Sequence, residues 1–311
     1  AQTCGNCHPG AGKRFALGPI HVPEGQASHP MVASVRSLYL VLIPVVIGLM
    51  LLHHLGDFAR KFRSLRLRGN YRAVAPSTHG EFRMYGFERA QHALLAVSFL
   101  VLVWSGFALK YPDQWWASPG GSGPEWALYR GWIHRIAGVV MIIAGIIHMV
   151  SLIASRRLRQ HWLTLLPRHT DVKEAAQAFS YNLFLRNQKP AISPHSYIEK
   201  AEYWAVVWGT LIMALTGGLL WANNWSLRNL PHFIIDLATT LHFYEAVLAT
   251  LAIVVWHFYS VIFDPEVYPM DLAWLTGKSP RRHGKHPEES HGNKPAEPTA
   301  RVDSTDRLPV E

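Results

Sequence analysis

Five histidines stand where a membrane helix has least use for an ionisable ring. His242 and His257 lie fifteen residues apart in one apolar stretch, His134 and His148 lie fourteen apart in another, and His92 opens a third. In an α-helix fifteen residues rise about 22 Å and end about 60° past four turns, while fourteen rise about 21 Å and end about 40° short of them. Each pair therefore projects broadly to one side from the two ends of a bilayer-length segment. An imidazole in hydrocarbon is costly unless something binds it. Two stacked b haems, one near each membrane face, need axial ligands at such depths. A second signature, Cys4-Gly5-Asn6-Cys7-His8, has the form of covalent haem c attachment: two thiols become thioethers and His8 takes the iron. His21 and His29 are the candidates for the opposite axial position.

The elements that must hold these residues are membrane helices. Of 311 residues 49% are hydrophobic and only 16% charged, with 12 Trp, against about 25% charged in an average soluble domain. The formal charge of +9 does not point to nucleic acid, because the basic residues fall in two loops and a tail between apolar spans. Apolar spans run at about 34–55, 89–109, 132–154, 202–222 and 239–263, each long enough to cross hydrocarbon as a helix. Pro44 inside the first is tolerable among neighbouring helices.

Charge bias orients them. Loop 56–87 carries seven Lys and Arg residues and connection 155–200 carries eight, whereas 111–129 and 223–237 together hold only Arg228. The basic loops belong inside. Haem c is attached outside bacterial inner membranes, so the CxxCH segment gives the same orientation independently: N-terminus periplasmic, C-terminus cytoplasmic. Trp115, Trp116, Trp126, Trp132, Trp221 and Trp225 then gather at the outer boundary as an aromatic belt.

With this orientation His134 and His242 form an outer level, and His92, His257 and His148 an inner one. Each level draws on two different helices, as bis-histidine ligation in a bundle requires. His148 is the surplus: it competes with His92, hydrogen-bonds a quinone, or pairs with His53 or His54 at the inner end of the first span to hold a third b haem. For His53 and His54 the plain alternative is an ordinary interfacial position. Glu245, one turn from His242, either orients that imidazole, carries protons or is partly solvated.

From here the chain resembles a family. Glu88-Arg89-Ala90-Gln91-His92, Ile133-His134-Arg135, Tyr197-Ile198-Glu199-Lys200-Ala201-Glu202-Tyr203-Trp204 and Leu215-Thr216-Gly217-Gly218 carry part of the likeness. The stretch from His242 through His257-Phe258-Tyr259 to Pro265-Glu266-Val267-Tyr268-Pro269-Met270 and Trp274-Leu275-Thr276-Gly277 carries most of it. Residues 85–278 are similar to the cytochrome b (gamma) subunits of respiratory formate dehydrogenases and nickel-iron hydrogenases. They resemble more closely the relatives fused to or partnered with multihaem c cytochromes. The resemblance implies a four-helix bundle with two b haems, His134 and His242 ligating the outer and His92 and His257 the inner, and a quinone beside the inner haem. The Asn-x-Gly-Gln-Lys element of the formate dehydrogenase subunits corresponds here to Ser196-Tyr197-Ile198-Glu199-Lys200, which keeps only the lysine.

The expected fold is an all-α integral membrane protein with five transmembrane helices, the last four forming the haem-binding bundle. A short periplasmic haem c segment (1–31) precedes the membrane domain (32–277), and a disordered cytoplasmic tail (278–311) follows, its His283, His286 and His291 solvated. A short helix is expected around Val172–Leu185. More haem c motifs are expected upstream, since the chain opens on Ala1 and carries no signal peptide. The expected cofactors are two b haems, or three with His148, one haem c, and menaquinone or ubiquinone. The expected function is electron transfer between the quinone pool and periplasmic c-type cytochromes or oxidoreductase subunits of a multisubunit complex. The alternative is a non-catalytic anchor for a c-type cytochrome.

Overall fold

A computed structural model describes residues 29–68, 81–118, 125–188, 190 and 196–279. Helix α1 (Pro30–Arg68) opens with proline, whose missing N–H costs nothing in a first turn. Its 39 residues rise about 58 Å, about twice the hydrocarbon thickness, so its basic C-terminal half continues out of the apolar zone. Strand β1 (Glu81–Phe82) leads into α2 (Gly86–Lys110), where the Glu88 carboxylate accepts the free Tyr85 amide at 2.8 Å. Then come α3 (Glu125–Ala154), α4 (Arg156–Leu163), α5 (His169–Asn182), α6 (Tyr197–Trp221), α7 (Asn223–Asn229) and α8 (His232–Ala252). Helix α8 runs on through two π windings, Ile253–His257 and Tyr259–Phe263.

The chain closes with α9 (Ala273–Thr276) and β2 (Lys278–Ser279), which pairs antiparallel with β1. Gly277 makes the turn at φ +81°, and a Cβ there would stand 2.7 Å from the Met84 carbonyl oxygen, so this closure needs glycine.

All five expected spans are present as helices long and apolar enough to cross a membrane. Several boundaries differ from the expectation: the first span runs Pro30–Leu67, the third begins at Leu128 and the fourth at Tyr197. The last span begins at His232, and the preceding connection carries α7, whose buried Ser226 hydroxyl donates to the Leu219 carbonyl at 2.9 Å. The expected cytoplasmic helix is α5, starting three residues earlier, where the Asp171 carboxylate accepts the Arg168 amide at 2.6 Å and fixes the first turn.

Packing follows membrane rules. Helices α2 and α3 run along each other, as do α6 and α8, and α1 lies along α8 and its π continuation. Large apolar side chains such as Leu38, Val41, Leu100, Ile146 and Leu215 face outward, while Ser98, Ser105, Ala108, Gly209 and Thr216 are buried between helices. Lipid solvates leucine as well as protein does, so close approach through small residues is what joins the helices. At Gly56 a Cβ would stand 2.3 Å from the Asn182 carbonyl oxygen, so α1 meets the end of α5 backbone to backbone.

Helices α5 and α6 are tied by a buried ion pair, Lys200 Nζ to Asp171 Oδ1 at 2.6 Å. Burial works against the Asp171 carboxylate, but the hydrogen bonds from Lys200 and the Arg168 amide hold it below the ordinary range. Its contribution is therefore present above the ordinary carboxylate pKa and is lost as pH falls through the depressed one. Asp171→Asn should cost about 3 kcal/mol at neutral pH, and the deficit should shrink in acid. Thermal unfolding of detergent-solubilised wild type and variant at pH 7 and pH 3 measures both.

Candidate haem-binding layers

The five histidines sort into two matched layers and one outlier. In the upper layer, His134 from α3 and His242 from α8 face each other with ring centres 6.2 Å apart. In the lower layer, His92 from α2 and His257 from the first π winding do the same, again at 6.2 Å. An iron between two imidazoles holds each nitrogen at about 2 Å with the ring centre about 1.1 Å beyond, so ring centres stand roughly 6.3 Å apart. Both layers meet that spacing. Among the described residues no three His, Cys, Asp or Glu groups gather to hold a metal ion; a b haem would need only two imidazoles, and each layer supplies two from different helices.

The upper layer also fixes which nitrogen is available. Ser105 Oγ donates to the Val101 carbonyl at 2.6 Å, and Thr216 Oγ1 donates to the Ile212 carbonyl at 2.7 Å. With its proton committed, each hydroxyl accepts from an imidazole: His134 Nδ1–H at 3.0 Å and His242 Nδ1–H at 2.9 Å. Nε2 of each ring is then the unprotonated nitrogen that can bind iron. The next residue in each helix is glycine. A Cβ at Gly106 would stand 3.2 Å from His134 Cε1, and one at Gly217 would stand 3.2 Å from His242 Cε1. A hydroxyl–glycine step on α2 thus serves α3, and the same step on α6 serves α8.

The lower layer is supported differently. His257 Nδ1 faces Glu202 Oε1 at 3.5 Å, and His92 Nδ1 is buried without a hydrogen-bond partner. The π winding shapes this layer. An i→i+5 turn rotates the chain less per residue than an α-turn, so it trims the 60° by which His257 would overshoot His242 in a straight α-helix.

His148 has both ring nitrogens engaged, Nδ1 with Gln91 Oε1 at 3.3 Å and Nε2 with the Tyr203 hydroxyl at 2.9 Å. Tyr203 in turn accepts from Trp162 Nε1 at 2.7 Å. Nearby, His161 on α4 bonds Glu88 at 2.9 Å, and that contact raises the His161 pKa against the opposing effect of burial. His53 and His54 are both buried on α1, where His53 Nε2 meets the Tyr197 hydroxyl at 2.8 Å. Glu245 accepts from the Tyr39 hydroxyl of α1 at 2.8 Å and bonds a different helix from the one that steadies His242. His29 stacks on Phe233 with ring centres 4.3 Å apart. Cys4, Cys7, His8, His21 and the tail histidines lie outside the described residues.

The histidines paired by depth in the sequence, His134 with His242 and His92 with His257, stand together in the fold. In the sequence Thr216-Gly217 enters only within a longer motif, and Ser105-Gly106 and Glu202 go unremarked as supports. The usable signal was the repeated hydroxyl–glycine dipeptide late in two spans, each preceding a histidine-bearing helix.

A family model described as prokaryotic cytochrome b561 matches residues 83–273, about three fifths of the chain, from the approach to α2 into α9. No curated protein and no solved structure matches.

Valine at Gly106 or Gly217 would put two methyl groups where an imidazole lies. Gly106→Val and Gly217→Val should each cut b haem by one per chain and leave the lower layer filled. Ser105→Ala and Thr216→Ala should keep both haems and shift one midpoint potential. Pyridine haemochrome counts and a redox titration distinguish the two outcomes.

Proposed function

We propose that this chain, which belongs to the prokaryotic cytochrome b561 family, passes electrons across a bacterial inner membrane between a quinone pool and periplasmic redox proteins. Membership makes it a bacterial membrane cytochrome b that binds haem b and transfers electrons. The finer reading is ours. The observation that carries it is the equal 6.2 Å opening of two histidine layers, each framed by two helices.

In this reading the upper layer is the outer one and the lower is the inner, following the charge bias and the CxxCH segment. Haem iron supplies one-electron redox chemistry when bound. The protein's part is positional. Ser105 and Thr216 hold two imidazoles in one tautomer, Gly106 and Gly217 clear room beside them, and Glu202 places a carboxylate behind His257. The geometry of His148 favours two b haems over three, since Gln91 and Tyr203 occupy both its nitrogens. Cys4, Cys7 and His8 attach a haem c that receives or supplies electrons on the outer side. The gamma-subunit likeness supports a multisubunit complex with periplasmic c-type cytochromes or an oxidoreductase. A non-catalytic anchor has less support, because packing histidines have no need of two matched openings.

His92→Ala and His257→Ala should each lower b haem from about two to about one per chain, with haem c unchanged, and abolish reduction by quinol. His134→Ala and His242→Ala should remove the other b haem and stop electron delivery to haem c. Unchanged b haem in all four variants would overturn the assignment.

A further inference from the structure

Between the lower half of α1 and the π windings lies a polar cluster that neither histidine layer uses. His53 and His54 are 6% and 5% exposed. Both ring nitrogens of His54, Nδ1 of His53 and Nε1 of Trp256 are buried without a hydrogen-bond partner. Native interiors carry few such groups, and several together mark a place where something polar binds. The four nitrogens share one set of aromatic contacts: Trp256 lies against His53 at 5.4 Å and His54 at 4.5 Å, and Tyr259 stacks on His54 at 4.2 Å. The cluster has a polar wall and a lipid wall. Tyr197 reaches His53 at 2.8 Å, the Tyr259 hydroxyl donates to Asp57 at 2.7 Å, and Lys61 bridges Asp57 at 2.6 Å and Asp264 at 2.7 Å. On the same stretch of α1, Leu51, Leu52 and Leu55 are exposed.

We infer that this cluster binds the ring of a membrane quinone or quinol, and that α1 and the π windings build the site together. The inference rests on the quinone reading proposed above and names where on the chain it is realised. A quinone offers a flat ring and two opposed oxygens, and the cluster offers aromatic faces and otherwise unspent imidazole and indole nitrogens. An isoprenoid tail needs an apolar exit, which the leucines of α1 border. Trp256 adjoins His257, so the ring would lie beside the lower layer. The π windings that expose Trp256 and Tyr259 to α1 are themselves a common accompaniment of functional sites.

Two other occupants fit less well. A third haem needs two imidazoles on opposite sides of an iron, but His53 and His54 are consecutive on one helix, with ring centres 5.2 Å apart and planes at 87°. Ordered water would satisfy nitrogens without using the stacked aromatic faces. Helix α1 lies outside the segment matched by the family model, so His53 and His54 join residues within that segment, Tyr197, Trp256 and Tyr259, from outside it.

Oxidation of one quinol here would yield one quinone, two electrons taken singly by haem iron, and two protons released to the aqueous side. The test uses the haem-loaded protein in lipid nanodiscs, with decylubiquinol or menadiol as reductant and dithionite as a site-independent one. His54→Phe keeps a ring and removes both nitrogens; Trp256→Phe and His53→Gln remove fewer. All three should retain wild-type b haem content and full dithionite reduction, while the quinol-driven rate falls at least tenfold in His54→Phe and severalfold in the others. Wild-type quinol rates in these variants would overturn the site and leave the quinone function standing. Loss of one b haem in His54→Phe would make it an iron ligand instead, and overturn the site as well. If His54→Phe does not fold, the other two variants decide by the same rate. Wild-type haems that dithionite reduces and neither quinol does would overturn the quinone function itself.

Discussion

An imidazole that is to bind iron must keep one nitrogen bare, and in the upper layer a single hydroxyl per ring is enough to leave Nε2 so. One hydroxyl, its own proton spent on a carbonyl four residues back, accepts from Nδ1 of the ring on the next helix. That arrangement works only if the helices approach closely, hence the glycine that follows each hydroxyl. Close approach in turn needs interfaces of serine, threonine, alanine and glycine, and it sends the large apolar residues outward to lipid. Ligand chemistry, helix contact and surface composition are thus one constraint seen at three scales.

The same constraint explains the order of the chain. Each hydroxyl–glycine step sits on the membrane span before the one whose histidine it serves, α2 directly before α3 and α6 before α8 with the short α7 between. Sequential antiparallel neighbours pack along each other, so support and ligand meet without long-range search. The lower layer closes instead between α2 and the far end of α8, and its supports are fewer: one carboxylate for His257 and none for His92 Nδ1. A carboxylate behind an imidazole makes the ring a stronger electron donor than a hydroxyl does. Iron bound as proposed would therefore meet different electronic surroundings in the two layers although their openings are equal.

Much of this was legible in the residues. Hydropathy marked all five spans because a bilayer demands uninterrupted length, and depth sorting paired His134 with His242 and His92 with His257 because helical rise is fixed. What stayed hidden depends on contacts between distant residues. His148, open in the sequence between competing with His92, a quinone contact and a third haem, meets Gln91 and Tyr203 with its two nitrogens, 57 and 55 positions away. Glu245, open in the sequence between orienting His242, carrying protons and partial solvation, meets Tyr39 from α1, 206 positions away. Nor does a run such as Ile253-Val254-Val255-Trp256-His257 signal its winding, since α and π turns want the same apolar residues.

The last span is sensitive to residue count in a way its composition does not reveal. A π turn holds one residue more than the α turn it replaces. A deletion within 253–257 can be absorbed by closing the π turn to an α turn, with the side chains beyond it kept on their faces, whereas one between His242 and the winding, at 243–252, would leave an equally apolar helix in which His257 and every side chain beyond it swing to another face. Deletion variants at 243–252 would thus keep the upper layer and dismantle the lower. Length in this helix is a coordinate of the redox site as much as a measure of the membrane.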